Sequence, residues 1–240
     1  LVPLTGENRM MVKQGLQKIR TGARIGLSSL AGVAQRRVQK ITASDIGFIL
    51  GPRLNAAGRM ESALLAYDLL ISREWQEAGR IAQQLDTQNH ERQQATRRAQ
   101  EIAEQAIIDP GAMSIIHSFD AEYSSGIVGL VASKLVEQYY RPAVIGQIEN
   151  GVIRASCRSI TEFHITAALD ECSDLLVRHG GHAMAAGFTL MQENEAEFIE
   201  RLESIAAREL EGLDLRPEIR ADVEIEINRL KPEFYVELEK

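Results

Sequence analysis

The chain has 240 residues, 45% of them hydrophobic and 25% charged, a balance that excludes a disordered chain and allows one large domain or two small ones. The net charge of −7 is unevenly placed: residues 191–240 carry 15 acidic and 7 basic groups, which leaves residues 1–190 at +1, so overall acidity does not exclude an anionic partner. No run of about 18 apolar residues and no leader pattern is found, which predicts a cytoplasmic protein without membrane contact.

In chain order, residues 8–20 have the pattern of a helix. Ser44 is placed to cap a second, short helix that Gly51-Pro52 ends. A third runs from Ser62 to about Ser72, with Leu64, Leu65, Leu69 and Leu70 expected in a core. From Arg73 to Ile108 there is no proline, and one helix of about ten turns fits. Its ends are amphipathic, with Ala78, Ile81, Ala82 and Leu85 at one and Ala99, Ile102, Ala103 and Ala106 at the other. Its middle, DTQNHERQQATRR, has almost no apolar face, which predicts a connector crossing solvent between two domains. His90, in that middle, is expected to face solvent.

After Pro110 the pattern becomes mixed α/β. Strands are expected at MSIIHSF, PAVIGQI, GVIRASC (after an Asn150-Gly151 turn) and GFTLM. Helices are expected at Gly126 to Tyr140, Ile165 to Val177 and about Glu195 to Leu210. Val223, Ile225 and Ile227 alternate with acids like a strand, ahead of a short helical segment. A lone strand has nothing to pair with, so a further domain is expected beyond it. Cys157 and Cys172 have no C-x-x-C spacing and read as reduced core residues. His117 and His164 read as structural, without a metal-ligand spacing.

Three segments carry candidate chemistry. In GVIRASCRS the two-residue period of a strand puts Arg154, Ser156 and Arg158 on one face and Ile153, Ala155 and Cys157 on the other. Two guanidiniums flanking a hydroxyl along about 13 Å of strand suit a phosphodiester track, and equally a solvated sheet face. Ser124, Ser125 and Gly126 lie where a helix is expected to begin, so their N–H groups suit either a phosphate oxygen or ordinary capping. In RHGGHAMAAGF, Gly180 or Gly181 is placed to end the helix before it, whereas capping does not require the second glycine or His182. A glycine pair lets a ligand approach the backbone, and an imidazole at its edge can donate to a phosphate oxygen.

Taken together, GPRLNAAGRM, GIVGLVASKL, RASCRSI and GGHAMAAGF, in this order, resemble the RecJ-type single-strand-specific exonucleases of the Asp-His-His phosphoesterase superfamily. The resemblance implies an α/β fold in which a remnant of the catalytic domain (1–71) and an α/β substrate-binding domain (110–212) are joined by a long helix (72–109). Residues 213–240 would start a truncated OB-fold. It implies 5′-to-3′ removal of nucleotides from single-stranded DNA in repair and recombination, with two Mn2+ or Mg2+ ions whose ligands lie before Leu1. This segment alone is then expected to be inactive. It assigns phosphate and DNA contacts to Arg53, Asn55 and Arg59, to Ser156 and Arg158, and to His182 beside Gly180 and Gly181. By residue type alone, Asn55 suits a loop turn and Arg59 a surface charge. Tyr123-Ser124 departs from the aromatic-His pair usual before GIVG and puts a substrate contact there in question. An oligoribonuclease of the same superfamily and a non-catalytic nucleic-acid-binding scaffold are the alternatives.

Overall fold

The computed structural model describes residues 3–105, 107, 113–219 and 221–238. Leu1, Val2, Ala106 and the expected boundary at 109–110 lie outside the described residues. Helix α1 (Gly6–Gly22) contains the expected 8–20 helix, and α2 (Ile25–Val33) follows it. The next segment departs from expectation. Thr42, not Ser44, is the cap: its hydroxyl accepts from the Asp45 N–H while the Asp45 carboxylate accepts from the Thr42 N–H. Ser44 lies inside that first turn, α3 (Ala43–Asp45).

Nor does Gly51-Pro52 stop the helix. The chain passes from α3 through a π-helical turn, Ile46–Leu50, into α4 (Gly51–Met60), with the Gly51 N–H donating to the Ile46 carbonyl five residues back. A proline lacks a donor and crowds the carbonyl four residues earlier, and the wider π turn relieves both. Pro52 therefore opens α4, the position where its fixed φ is favourable. In consequence Arg53, Asn55 and Arg59 lie on a helix, which overturns the loop reading of that segment. In α5 (Leu64–Ile71), Leu69 is fully buried but Leu64 is exposed, so only part of the leucine set reaches the core.

Helix α6 (Trp75–Gln105) has 31 residues and serves two cores. Ala78, Ile81, Ala82 and Leu85 pack with Leu30, Ala31, Leu50, Ala57 and Leu69, while Ala99 and Ala103 pack in a second cluster further on. The expected solvent crossing between them is not found. Gln88, Asn89 and Thr96, in the polar middle, are buried. Gln88 Nε2 donates to Glu61 Oε2 at 2.8 Å, Arg92 Nη2 to Asn89 Oδ1 at 2.9 Å, and the Thr96 hydroxyl to the Arg92 carbonyl at 2.7 Å. An inner face of amides, a hydroxyl and a guanidinium that bond largely to one another can be buried, with Gln88 Oε1 and Arg92 Nε left without a partner among the described residues, yet it carries no apolar stripe for the eye to find. His90 stays exposed, as expected.

Beyond α6 come β1 (Ile116–Asp120), α7 (Val128–Tyr139), β2 (Ala143–Glu149), β3 (Val152–Arg158), α8 (Ile165–Glu171), β4 (Leu176–His182), β5 (Ala185–Met191) and α9 (Glu195–Leu210). The five strands form one sheet in the order β1-β2-β3-β5-β4. The β1–β2 pair is parallel, as a crossover through α7 allows, and the other pairs are antiparallel. Asn150 and Gly151 both take positive φ in the β2–β3 turn, as the Asn-Gly pair predicts. Ala99 and Ala103 of α6 and Val131, Ala132 and Leu135 of α7 pack on one face, against Ile116, Ala143 and Ile145. Leu169 of α8 and Phe198 and Leu202 of α9 pack on the other, against Val144, Ile153, Ala155 and Cys157. The result is a three-layer α/β/α arrangement.

Three further expectations are corrected. Helix α7 starts at Val128, and neither Ser124 nor Ser125 caps it with a side chain; instead the Ser124 carbonyl accepts from the Ile127 and Val128 N–H groups. Helix α8 stops at Glu171, and a 3-10 turn, Ser173–Leu175, leads into β4, so Gly180 and Gly181 lie in a strand and not at a helix end. The apolar run Leu175-Leu176-Val177 fits either period over so short a window, and pairing with β5 decides it. Finally, residues 223–227 form no strand; Val223 and Ile227 are exposed, and a 3-10 turn, Ile227–Arg229, precedes the short expected helix α10 (Pro232–Leu238). No other described segment pairs with them, and an unpaired strand is not stable. His117 pairs with Glu203, His164 Nδ1 accepts from the Ala167 N–H at the start of α8, and both cysteines are buried and free.

Candidate nucleic-acid interface

The alternation expected in β3 is present. Ile153, Ala155 and Cys157 are buried against α8 and α9, while Arg154, Ser156 and Arg158 point to the opposite face. Burial in apolar surroundings pushes the Cys157 thiol up to about 12, as suits an inert core residue.

The register then joins two motifs 20 residues apart. Residues directly opposite across antiparallel strands share a face, and β5 is the bridge. Arg154 pairs with Thr189, which pairs with Arg178; Ser156 with Gly187, which pairs with Gly180; and Arg158 with Ala185, which pairs with His182. Three parallel rows therefore cross one face: Arg–Thr–Arg, Ser–Gly–Gly and Arg–Ala–His. A cleft of about 390 Å3 opens over the first two, lined by Ser125, Arg154, Ser156, Arg178, Gly180 and Thr189 among others.

Arg178 reaches this face only because of a defect in β4. Leu176 pairs with Leu190 but Arg178 pairs with Thr189, so Val177 is an extra residue, a β-bulge. Leu176 belongs to the core beneath α8 and α9. A strict two-residue period from Leu176 would send Arg178, Gly180 and His182 inward with it. The bulge leaves Val177 exposed and turns all three outward, where Arg178 Nε donates to the Thr189 hydroxyl at 3.2 Å. Sequence reasoning missed Arg178 and Thr189; a guanidinium two residues before the glycine pair was the one available signal.

The two glycines have different jobs. At Gly181, which has φ +156°, a Cβ would collide with the Ala185 carbonyl and the Ala186 Cα, so the β4–β5 hairpin requires glycine there. At Gly180 a Cβ would meet nothing within 4 Å, so the fold does not require glycine and its absence of a side chain keeps the cleft floor open. His182 ends β4 with its carbonyl accepting from the Thr166 hydroxyl; its exposed imidazole has no hydrogen-bond partner among the described residues.

The glycines of GIVG fit the same site from above. A Cβ on Gly129 would stand 3.1 Å from Arg158 Nη2 and 3.5 Å from Ser156 Oγ, so glycine lets the first turn of α7 lie over that pair. At Gly126 a Cβ would collide with the Arg59 main-chain oxygen. Arg59 Nη1 in turn donates to the Gly126 carbonyl at 3.1 Å, which ties the end of α4 to the loop bearing Ser125. The Ser125 N–H is already bonded to Gln147 Oε1, and so is not a free donor. Tyr123 is buried, with its hydroxyl on Ser118, and burial raises its pKa.

The expected α4 residues divide. Asn55 and Arg59 are exposed and one turn apart on the helix, so they share a face. Arg53 is engaged in the fold: Nε donates to Asp86 Oδ1 at 2.8 Å and Nη1 to the Ile49 carbonyl, with both side chains of the ion pair mostly buried. Arg154 has a looser partner, Glu149 at 3.0 Å, both about half exposed. Arg92 lies within influence of Arg59: burial, and then the Arg59 charge, lowers its pKa. Among the described residues no group of three or more His, Cys, Asp or Glu is placed to hold a metal ion.

Residues 112–208, which carry this face, match the DHHA1 domain family. Over 244 residues the chain is 38% identical to the single-stranded-DNA-specific exonuclease RecJ of Bacillus subtilis (strain 168), covering 99% of this chain and 31% of that protein. To the protein of the same name from Escherichia coli (strain K12) it is 34% identical over 236 residues, covering 92% and 40%. Over nearly its whole length the chain is thus similar to exonucleases of the RecJ type. The crystal structure of RecJ in complex with Mg2+ from Thermus thermophilus superposes with a TM-score of 0.78 at 31% identity, over 86% of this chain and 32% of that one. A crystal structure of exonuclease RecJ bound to manganese gives 0.75 at 32% identity, over 89% and 54%. The chain thus spans about a third of the length of the Bacillus relative it matches.

Proposed function

We propose that this chain is the substrate-holding part of a metal-dependent 5′-to-3′ single-stranded DNA exonuclease that acts in DNA repair and recombination in the cytoplasm. In this reading residues 1–71 close a catalytic domain, 72–109 link it, 110–212 bind substrate and 213–240 begin an OB-fold. The observation that carries the reading is the register: three rows across β3, β5 and β4 collect Arg154, Ser156, Arg158, Arg178 and His182 around a floor kept open by Gly180. Fixed donors of that kind suit a phosphodiester. Guanidiniums offer paired N–H groups to phosphate oxygens, and they stabilise the charge that grows there during in-line attack without reorganising. Asn55 and Arg59 supply further contacts from α4, and Arg53 acts by holding α4 against α6.

The described residues do not make a metal site. Related structures carry Mg2+ or Mn2+, and in this reading either ion is held by residues outside those described. Among the described residues no helix is long and apolar enough to cross a membrane.

The test is digestion of end-labelled substrates by the full-length protein with Mn2+. Shortening of single-stranded DNA from its 5′ end, with duplex DNA and short RNA spared, is expected; the 240-residue segment alone should cut nothing. Preferential cleavage of short RNA would make the protein an oligoribonuclease, and binding without cleavage a scaffold.

A further inference from the structure

We infer that the Arg154–Thr189–Arg178 row is a second phosphate subsite, taking the phosphodiester next to the one held by Ser156, Arg158 and His182. The inference rests on the proposed nucleic-acid reading of this face. Arg154 and Arg178 flank Thr189 on neighbouring strands, so their Cα atoms stand roughly 10 Å apart, a gap that two arginine side chains close over a single anion. Along the strand, Arg154 lies two residues from Ser156 and four from Arg158, about 7 and 13 Å at 3.3 Å per residue. That is the reach of one further step of an extended single-stranded backbone.

Two features show that the row is shaped for a ligand beyond the needs of the fold. First, Arg178 points outward only through the Val177 bulge, which interrupts the ladder and exposes an apolar side chain. Second, Arg178 lines the cleft with its Nε fixed on the Thr189 hydroxyl, a neutral partner that leaves the guanidinium charge uncompensated. Of the two arginines only Arg154 has a carboxylate partner among the described residues, and that exposed pair with Glu149 is one a phosphate can displace.

The experiment compares two ligands on the full-length protein, with a chelator present so that nothing is cut: thymidine 5′-monophosphate and the 5′-phosphorylated dinucleotide pTpT. Arg178→Ala, with its folding checked by a thermal melt because Thr189 loses a donor, should weaken pTpT about tenfold and thymidine monophosphate less than about twofold. Arg178→Lys should recover part of the loss, and Arg158→Ala should weaken both ligands. If Arg178→Ala affects both ligands equally, or neither, the second subsite does not exist. If the wild-type protein binds neither ligand, the nucleic-acid reading of the face fails first and the subsite goes with it.

Discussion

The main-chain oxygen of Arg59 lies where a side chain on Gly126 would begin, and the Gly126 carbonyl accepts from the Arg59 guanidinium at 3.1 Å. One helix of the N-terminal unit and the loop before α7 thus meet backbone to backbone. Gly126→Ala should force them apart at a cost of about 1–3 kcal/mol, the usual penalty of overpacking. Thermal melts would show the loss. Because Ser125 and Arg59 move together, single-stranded DNA affinity should fall as well, even at temperatures where the variant is fully folded.

The glycine pair of β4 gives a sharper contrast. Gly181→Ala collides with the neighbouring strand and takes a positive φ, and should lower stability by about 1–3 kcal/mol. Gly180→Ala meets only open space, and should leave stability unchanged or raise it by about 0.5 kcal/mol through the unfolded chain. Its effect is expected on DNA binding, where the new methyl stands on the cleft floor. Equal melting temperatures for the two variants would refute the division of labour.

A second neighbouring pair separates the two faces of β3. Arg158→Ala removes charge-assisted hydrogen bonds worth roughly 1.5–3 kcal/mol, a tenfold to hundredfold loss of DNA affinity with little loss of stability. Cys157→Ser places a hydroxyl in a fully buried apolar position and should cost on the order of 1–3 kcal/mol of folding free energy, with binding by the folded protein nearly unchanged. Melts and DNA titrations on both variants check the pair, and a binding defect in Cys157→Ser would contradict the face assignment.

In α6, amide exchange should be slow through residues 81–103, including the buried Gln88, Asn89 and Thr96 of its polar middle. The exposed stretch 221–230 should exchange fast. Gln88→Leu removes a buried oxygen that has no partner among the described residues and frees only an exposed carboxylate, so it should leave stability unchanged or raise it slightly, as thermal melts would show. Fast exchange between Asp86 and Arg98 would return α6 to a solvated spacer.

Much was legible in the sequence wherever the signal is local. The alternation of β3, the Asn150-Gly151 turn and the limits of α9 each follow from a period or a turn preference within a few residues. The strand period marked Arg154, Ser156 and Arg158 as one face, and motif order marked Ser156, Arg158 and His182, before any contact was known. Local reading failed where two signals compete in a short window, as at Leu175–Val177, and where burial is polar, as in the middle of α6.

What only the tertiary structure decided is which side chains share a face. Side-chain direction in a strand follows its partner's register, and one extra residue inverts everything beyond it. On a strict two-residue period Arg178 and His182 would share the buried side of Leu176. The ladder with β5, slipped by one at Val177, turns them toward Arg154 and Arg158 instead. No local preference of Val177 encodes that slip, because it results from pairing with Thr189 and Leu190, residues more than ten positions away along the chain.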